Sequence, residues 1–177
     1  MSQERLGEDK TVTRTFRISE RAFNALQDEA KHQKVSMNTL VNQVILSYTD
    51  FDRYIKKLHM LKISRPTFRK VLEAAPEDAI IQAGKAAGSD VPKFFILAKG
   101  GGLDLQGVLD HLRDLGDYGN VYEYEETARD GRRTITLGHE LGPKGTLFFA
   151  HYVQAVFENI QMSPTFTLGD NSITIEL

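Results

Sequence analysis

Hydrogen-bonding side chains occur at every second position near the amino end of the chain, at Thr13, Thr15 and Arg17. A hydroxyl can donate or accept a hydrogen bond, and a guanidinium can hold two acceptor atoms at once in a rigid fork. Alternate residues of a β-strand lie on the same face, so a strand would present these three side chains together. Phe16 and Ile18 would then lie on the opposite, apolar face.

Residues 11–18, which must position these side chains, are rich in β-branched and aromatic residues and therefore favour a strand. A single strand leaves its backbone N–H and C=O groups unpaired and does not persist alone in water. The sequence predicts no second strand nearby. We therefore expect the same strand of a second copy of the chain to be its partner.

Two amphipathic helices are predicted directly after this strand. Ser19 is suited to cap the first, from residue 20 to about residue 33, because its hydroxyl can accept from a free N–H of the first turn. Ser36 is suited to cap the second in the same way. Apolar residues recur at helical spacing in both, at Ala22, Phe23, Leu26 and Ala30 and then at Leu40, Val41, Val44, Ile45 and Tyr48.

The order strand, helix, turn, helix, with the pieces RTFRIS, ERAFNALQDEA and SMNTLVNQVI, resembles the ribbon-helix-helix family of transcriptional regulators. Members of that family are homodimers that exchange one strand, and the resulting two-stranded antiparallel ribbon enters the DNA major groove. The resemblance implies a homodimer bound to double-stranded DNA. It also implies that Thr13, Thr15 and Arg17 contact base edges, where a guanidinium can bind O6 and N7 of guanine together.

The resemblance further implies a phosphate site at the start of the second helix, at Ser36, Met37 and Asn38. Free N–H groups and the helix dipole favour an anion there. The chain departs from the family in the preceding turn, where Lys34 and Val35 stand in place of the usual small residue. A left-handed conformation costs a non-glycine residue roughly 1 kcal/mol or more. A differently built turn is therefore an alternative.

Ordinary structural roles are alternatives for the same residues. Alternating threonine and arginine is also typical of the solvent face of a strand in an α+β domain, and Ser36 could act only as a helix cap. We keep three hypotheses for function. The chain is a DNA-binding regulator, an antitoxin-like or other protein-interaction module, or a ligand-binding domain on a dimeric scaffold.

The charge of the chain differs between its two ends. Residues 1–65 hold 12 Lys and Arg against 8 Asp and Glu, a net charge of +4, and residues 66–177 hold 10 against 16, a net charge of −6. A dimer would carry about +8 at the proposed DNA-binding end, which attracts phosphates at moderate salt. The lack of cysteine and of an apolar run of about 18 residues predicts a cytoplasmic protein without disulfides.

An α+β fold class is predicted, with a swapped-strand ribbon-helix-helix at residues 11–50 after a mobile tail at 1–10. Residues 51–65 are predicted as a helical connector, and residues 66–177 as an effector or oligomerisation domain whose antiparallel hairpins pack on helices. Helices are predicted at 66–75, 77–87, 103–115 and 144–160, and hairpin strands at 121–127, 132–137, 165–168 and 172–177. The apolar run 94–98 suits either a buried strand or a helical turn.

Two segments of the second half invite an anion-binding interpretation. KGGGLD at 99–104 lacks the spacing of both glycine-rich phosphate loops and is more typical of a turn. GHELGPKG at 138–145 joins a strand end to a helix start, so His139 and Lys144 could hold an anion or acidic effector. Of the five histidines, only His139 and His151 form a pair worth testing for metal. We predict no metal, no cofactor and no catalytic residue.

Overall fold

The computed structural model describes residues 11–129 and 131–177. The described residues divide into two compact units, the first ending at Val44 and the second running from Ile45 to Leu177. The predicted tail at residues 1–10 and Asp130 of the predicted hairpin turn lie outside the described residues. In the described part of the chain, no helix has the length and apolarity needed to cross a membrane.

Two helices, each started by a serine, dominate the first unit. Helix α1 (Glu20–Gln33) begins after Ser19, whose hydroxyl accepts the N–H of Ala22 at 3.3 Å. Helix α2 (Met37–Ser47) begins after Ser36, whose hydroxyl accepts the N–H of Thr39 at 3.0 Å. Both helices and both caps are confirmed, because these short polar side chains satisfy N–H groups that lack an acceptor within the helix.

Lys34 makes the turn between α1 and α2 in the left-handed conformation, with φ 57° and ψ 37°. Its N–H donates to the carbonyl of Lys31, and the N–H of Val35 donates to the carbonyl of Ala30 at 3.0 Å. These bonds close the end of α1 in the way that glycine usually does. Lys34 therefore occupies the left-handed position that glycine usually takes at a helix end.

Replacing Lys34 with glycine is expected to raise the free energy of unfolding by about 0.5–1 kcal/mol, because glycine adopts the left-handed conformation without a Cβ clash. Urea unfolding of the full chain measures the change. Lys31→Gly is the matched control, since Lys31 lies within α1. This variant should lower the free energy of unfolding by about 1 kcal/mol. Equal destabilisation by both substitutions would contradict this account of the turn.

The second unit combines helices with one antiparallel sheet. After the end of α2 follow a π-helical turn (Tyr48–Asp52) and a short helix α3 (Arg53–Lys57). The remaining helices are α4 (Arg65–Ala74), α5 (Glu77–Ala98), α6 (Leu105–Asp117) and α7 (Gly142–Glu158). The strands are β1 (Glu123–Arg129), β2 (Arg132–Gly138), β3 (Thr165–Leu168) and β4 (Ser172–Glu176).

The four strands lie in the order β1-β2-β4-β3, and every neighbouring pair is antiparallel. On one face of the sheet the two central strands are apolar and fully buried, with Ile135 and Leu137 of β2 opposite Ile175 and Ile173 of β4. These residues share a core with α6 and α7. The α+β class and both predicted hairpins are confirmed, because their alternating patterns match the face that is buried.

Helix α5 continues to Ala98, so the undecided run 94–98 is helical. Pro92 lies inside this helix and cannot donate to the carbonyl of Gly88. The side-chain amide of Asn159 donates to that carbonyl instead, at 3.1 Å. Gly88 also lets α7 approach closely, since a Cβ at this position would lie 2.2 Å from the carbonyl oxygen of Tyr152. Contacts between distant parts of the chain thus preserve a helix that local sequence signals would end.

The predicted connector at 51–65 supplies part of the second unit's core. Phe51, Tyr54 and Ile55 are buried there, and the Phe51 and Phe95 rings stack with their centroids 5.6 Å apart. Arg65 fixes the end of this segment, since its guanidinium donates to both the carbonyl and the side chain of Asn120. Residues 51–65 therefore belong to the folded second unit.

Candidate nucleic-acid interface

Thr13, Thr15 and Arg17 lie in an exposed segment that precedes α1 and contains neither helix nor paired strand. No backbone hydrogen bond joins residues 11–18 to any other described residue. The carbonyl of Thr13 accepts from the guanidinium of Arg14 at 3.2 Å. The other N–H and C=O groups of the segment are available for pairing with another strand. A single chain does not show a ribbon, and it does not place this segment on the sheet at 123–176 either.

The first unit leaves its large apolar side chains uncovered. Phe16 is 73% exposed and Ile18 is 54% exposed, while Phe23 of α1 and Val44 of α2 are 43% and 51% exposed. Ala30 is the buried residue of α1, and Leu40 is that of α2. Folded domains rarely leave so many neighbouring apolar groups in water, and such surfaces mark interfaces.

The start of α2 has the donors that a phosphate would need. The N–H groups of Met37 and Asn38 belong to the first helical turn, which has no acceptors within the helix. That turn contains no acidic residue. Ser36 and Asn38 are exposed and Met37 is half-buried. Because Ser36 already caps the helix and lies 2.8 Å from the hydroxyl of Thr39, its phosphate contact stays a prediction.

The second predicted anion site has a different arrangement from the one expected. The ammonium of Lys144 donates to the carbonyls of Glu73 at 3.0 Å and Ala75 at 2.6 Å, at the end of α4. A lysine at this place satisfies carbonyls that the helix cannot pair itself. Its charge therefore stabilises a helix end, and Lys144 does not join His139 in an open anion site.

His139 is buried and both of its ring nitrogens have partners. Nδ1 accepts the N–H of Leu141 at 3.2 Å, which leaves Nε2 to donate to the hydroxyl of Thr146 at 3.2 Å. That hydroxyl donates in turn to the carbonyl of Gly169 at 2.9 Å. Burial, with a smaller contribution from Arg65, lowers the pKa of His139 to about 4. The imidazole is thus neutral and holds the turn before α7.

His111 is the second buried histidine, and burial with a smaller effect of Lys99 lowers its pKa to about 3. An unfolded histidine with a pKa near 6.5 takes up a proton as the pH falls below that value, whereas these two do not. Lowering the pH from 7.5 to 5 should therefore destabilise the fold by roughly 2 kcal/mol for each histidine. Urea unfolding at the two pH values tests this, and equal or greater stability at pH 5 would contradict it.

The two histidines considered as metal ligands are His139, directly after β2, and His151 on α7. The described residues contain no group of three or more His, Asp and Glu side chains placed to hold a metal ion. His151 has a buried Nδ1 without a hydrogen-bond partner, next to the close contact with Gly84 of α5.

KGGG at 99–102 closes the end of α5 instead of forming a phosphate loop. Gly100 has φ 79°, its N–H donates to the carbonyl of Leu97, and the N–H of Gly101 donates to that of Ile96. This is a Schellman motif, in which a left-handed glycine is favoured. A cavity whose lining includes His111 lies beside this motif. Sequence reasoning did not predict it, because no spacing rule links the end of α5 to one face of α6.

No protein-family model, curated protein or solved structure matches the chain. The interpretation of its function therefore depends on the chemistry and exposure of the residues described above.

Proposed function

We propose that the chain is a homodimeric, sequence-specific DNA-binding transcriptional regulator. Residues 11–18 of two copies pair as an antiparallel ribbon that enters the major groove. On the outer face of that ribbon, Thr13, Thr15 and Arg17 contact base edges, which present a different pattern of donors and acceptors for each base pair. Ser36, Met37 and Asn38 hold phosphates on either side of the groove.

The observation that carries this proposal is the uncovered state of the first unit. Residues 11–18 form no backbone–backbone hydrogen bonds with the described residues, and the apolar residues Phe16, Ile18, Phe23 and Val44 are exposed. Pairing with a second copy satisfies the backbone and turns Phe16 and Ile18 toward the apolar stripes of the helices, because alternate residues of a strand share a face. Dimerisation would therefore pair the free backbone groups and cover the exposed apolar side chains at the same time.

Charge supports the same surface for DNA. Residues 11–19 contain Arg14 and Arg17 and no acidic residue, so two paired segments would bring four guanidinium groups together. Residues 1–50 hold seven Lys and Arg against seven Asp and Glu, so the net positive charge of residues 1–65 lies in residues 51–65. Phosphate attraction by the first unit should therefore come from the guanidinium groups of residues 11–19, and the affinity should fall as salt rises.

Selection of bound sequences from a random DNA pool, at a stated salt concentration, tests the proposal. A symmetric dimer should enrich a palindrome whose half-sites reflect the protein two-fold. Recovery of an unchanged pool would contradict sequence-specific binding. Co-purification of a small protein partner without DNA affinity would favour the protein-interaction hypothesis instead.

A further inference from the structure

A cavity of about 310 Å³ opens in the second unit between the carboxyl end of α5 and one face of α6. Phe95 and Ile96 form its apolar wall, and the glycines at 100, 101 and 107 leave room without adding side chains. Five lining residues belong to α6, and four of them recur at the spacing of a single helix face, namely Gly107, Asp110, His111 and Asp114.

The charged groups around this cavity are already paired. The ammonium of Lys99 donates to the carboxylate of Asp114. The guanidinium of Arg113 donates to Asp110 at 3.2 Å and to Glu126 at 2.7 Å. The two cations and two carboxylates in the lining sum to zero formal charge. An anionic ligand would meet Asp110 and Asp114, and a cationic one would meet Lys99 and Arg113.

His111 is a buried polar residue of the cavity lining. Its side chain belongs to a residue that is only 3% exposed, and Nε2 lies 2.7 Å from the hydroxyl of Tyr152. Nδ1 forms no hydrogen bond with any described residue. It is not fully enclosed, so a partner from outside the chain could reach it. The cavity that the ring lines is the space left for a partner.

The tautomer of His111 follows from its partner. The Tyr152 hydroxyl has no other acceptor among the described residues, so it donates to Nε2, and the neutral ring then carries its proton on Nδ1. With the proton on Nε2 instead, the hydroxyl proton of Tyr152, which is buried in the core, would have no acceptor, whereas Nδ1 is an atom that is not fully enclosed. Leaving a buried donor without an acceptor is costly. Nδ1 of His111, a residue that lines the cavity, thus carries an N–H group without an acceptor among the described residues.

We propose that this cavity binds a small uncharged molecule with an apolar body and a carbonyl oxygen, such as an amide or a ketone. The oxygen accepts the Nδ1 proton of His111, and the apolar body packs on Phe95 and Ile96. Neutral charge is required because the four ionised groups of the lining balance one another. This site is separate from the proposed DNA surface, and its test does not depend on DNA binding.

Three probes of nearly equal shape test the proposal with the full chain at pH 7.4: benzamide, benzoate and benzylamine. Benzamide should bind with a dissociation constant of about 1 mM, which suits a ligand of this size. Benzoate and benzylamine should bind at least tenfold more weakly. Equal binding of all three, or no binding of benzamide, would overturn the proposal.

Nitrogen-15 NMR of the imidazole rings tests the contact itself. The free protein should show the proton of His111 on Nδ1, and benzamide should shift the His111 signals while leaving those of exposed His32 unchanged. A proton on Nε2 would overturn the proposal, because the donor would then be absent.

The double substitution His111→Phe with Tyr152→Phe removes the donor and its partner together while it keeps both rings. Such a paired replacement leaves no group unsatisfied, so the fold should persist. Benzamide binding should fall at least tenfold, whereas His32→Phe should bind as the natural chain does. Unchanged binding by the folded double variant would also overturn the proposal. If that variant does not fold, the NMR result decides.

Discussion

Replacing Phe16 with aspartate is expected to weaken the proposed homodimer by at least about 100-fold. Phe16 is 73% exposed in the single chain, and burying a phenylalanine side chain is worth about 1.5–3 kcal/mol. A symmetric dimer buries two such side chains, so the loss is about 3–6 kcal/mol before the cost of burying a carboxylate is added. Sedimentation velocity over a range of micromolar concentrations measures the dimer dissociation constant.

Thr15→Asp provides the matched control, because it adds the same charge one residue away. In a ribbon, Thr15 lies on the face opposite to Phe16. This variant should remain dimeric while its affinity for DNA falls, since a carboxylate would face the bases and phosphates. Dimers that survive Phe16→Asp would show that the exposed apolar row is not the interface.

Replacing Arg17 with alanine is expected to cost about 1–3 kcal/mol of discrimination at one base position of the selected site. The guanidinium would otherwise form two hydrogen bonds with one guanine. In competition binding, the preferred sequence should lose affinity while a sequence changed at that position should lose little. The measured ratio between the two sequences, at one salt concentration, isolates the base contact from general attraction to phosphate.

Arg14→Ala is the control for the loss of a positive charge. Arg14 and Arg17 are both exposed. In a strand Arg14 would lie on the face opposite to Arg17. Its guanidinium donates to the carbonyl of Thr13 at 3.2 Å. We expect this variant to bind all sequences somewhat more weakly with its preference retained. If Arg17→Ala behaved in the same way, Arg17 would contact phosphate instead of a base.

Local signals in the sequence were sufficient for much of the fold. The serine caps at Ser19 and Ser36 act within one helical turn, and the strands at 123–129 and 132–138 have an alternating pattern that one buried face explains. The predicted bounds of α6 and α7 differ from the structure by two residues. Such features depend on neighbours along the chain, which a sequence displays directly.

Other features depend on residues far apart in the sequence. Local preferences end α5 near Ala87, yet the helix continues through Gly88 and Pro92. There Asn159 donates to the Gly88 carbonyl, and α7 packs too closely on Gly88 to leave room for a side chain. In the same way, Lys144 looks free in the sequence, but its ammonium reaches carbonyls 69 and 71 residues earlier. A sequence reveals the donor but not its partner. The proposed ribbon is harder still to derive from one sequence, because its partner strand would come from a second copy of the chain.

A cysteine scan of residues 12–17 tests the ribbon most directly, because the chain has no cysteine of its own. In an antiparallel pair of identical strands, only a position at the two-fold axis faces itself, close enough for a disulfide to form. Under mild oxidation we predict a sharp maximum of covalent dimer at one position, with little at its neighbours. Uniformly low cross-linking across all six positions, in a protein that sediments as a monomer, would contradict the proposed DNA-binding dimer.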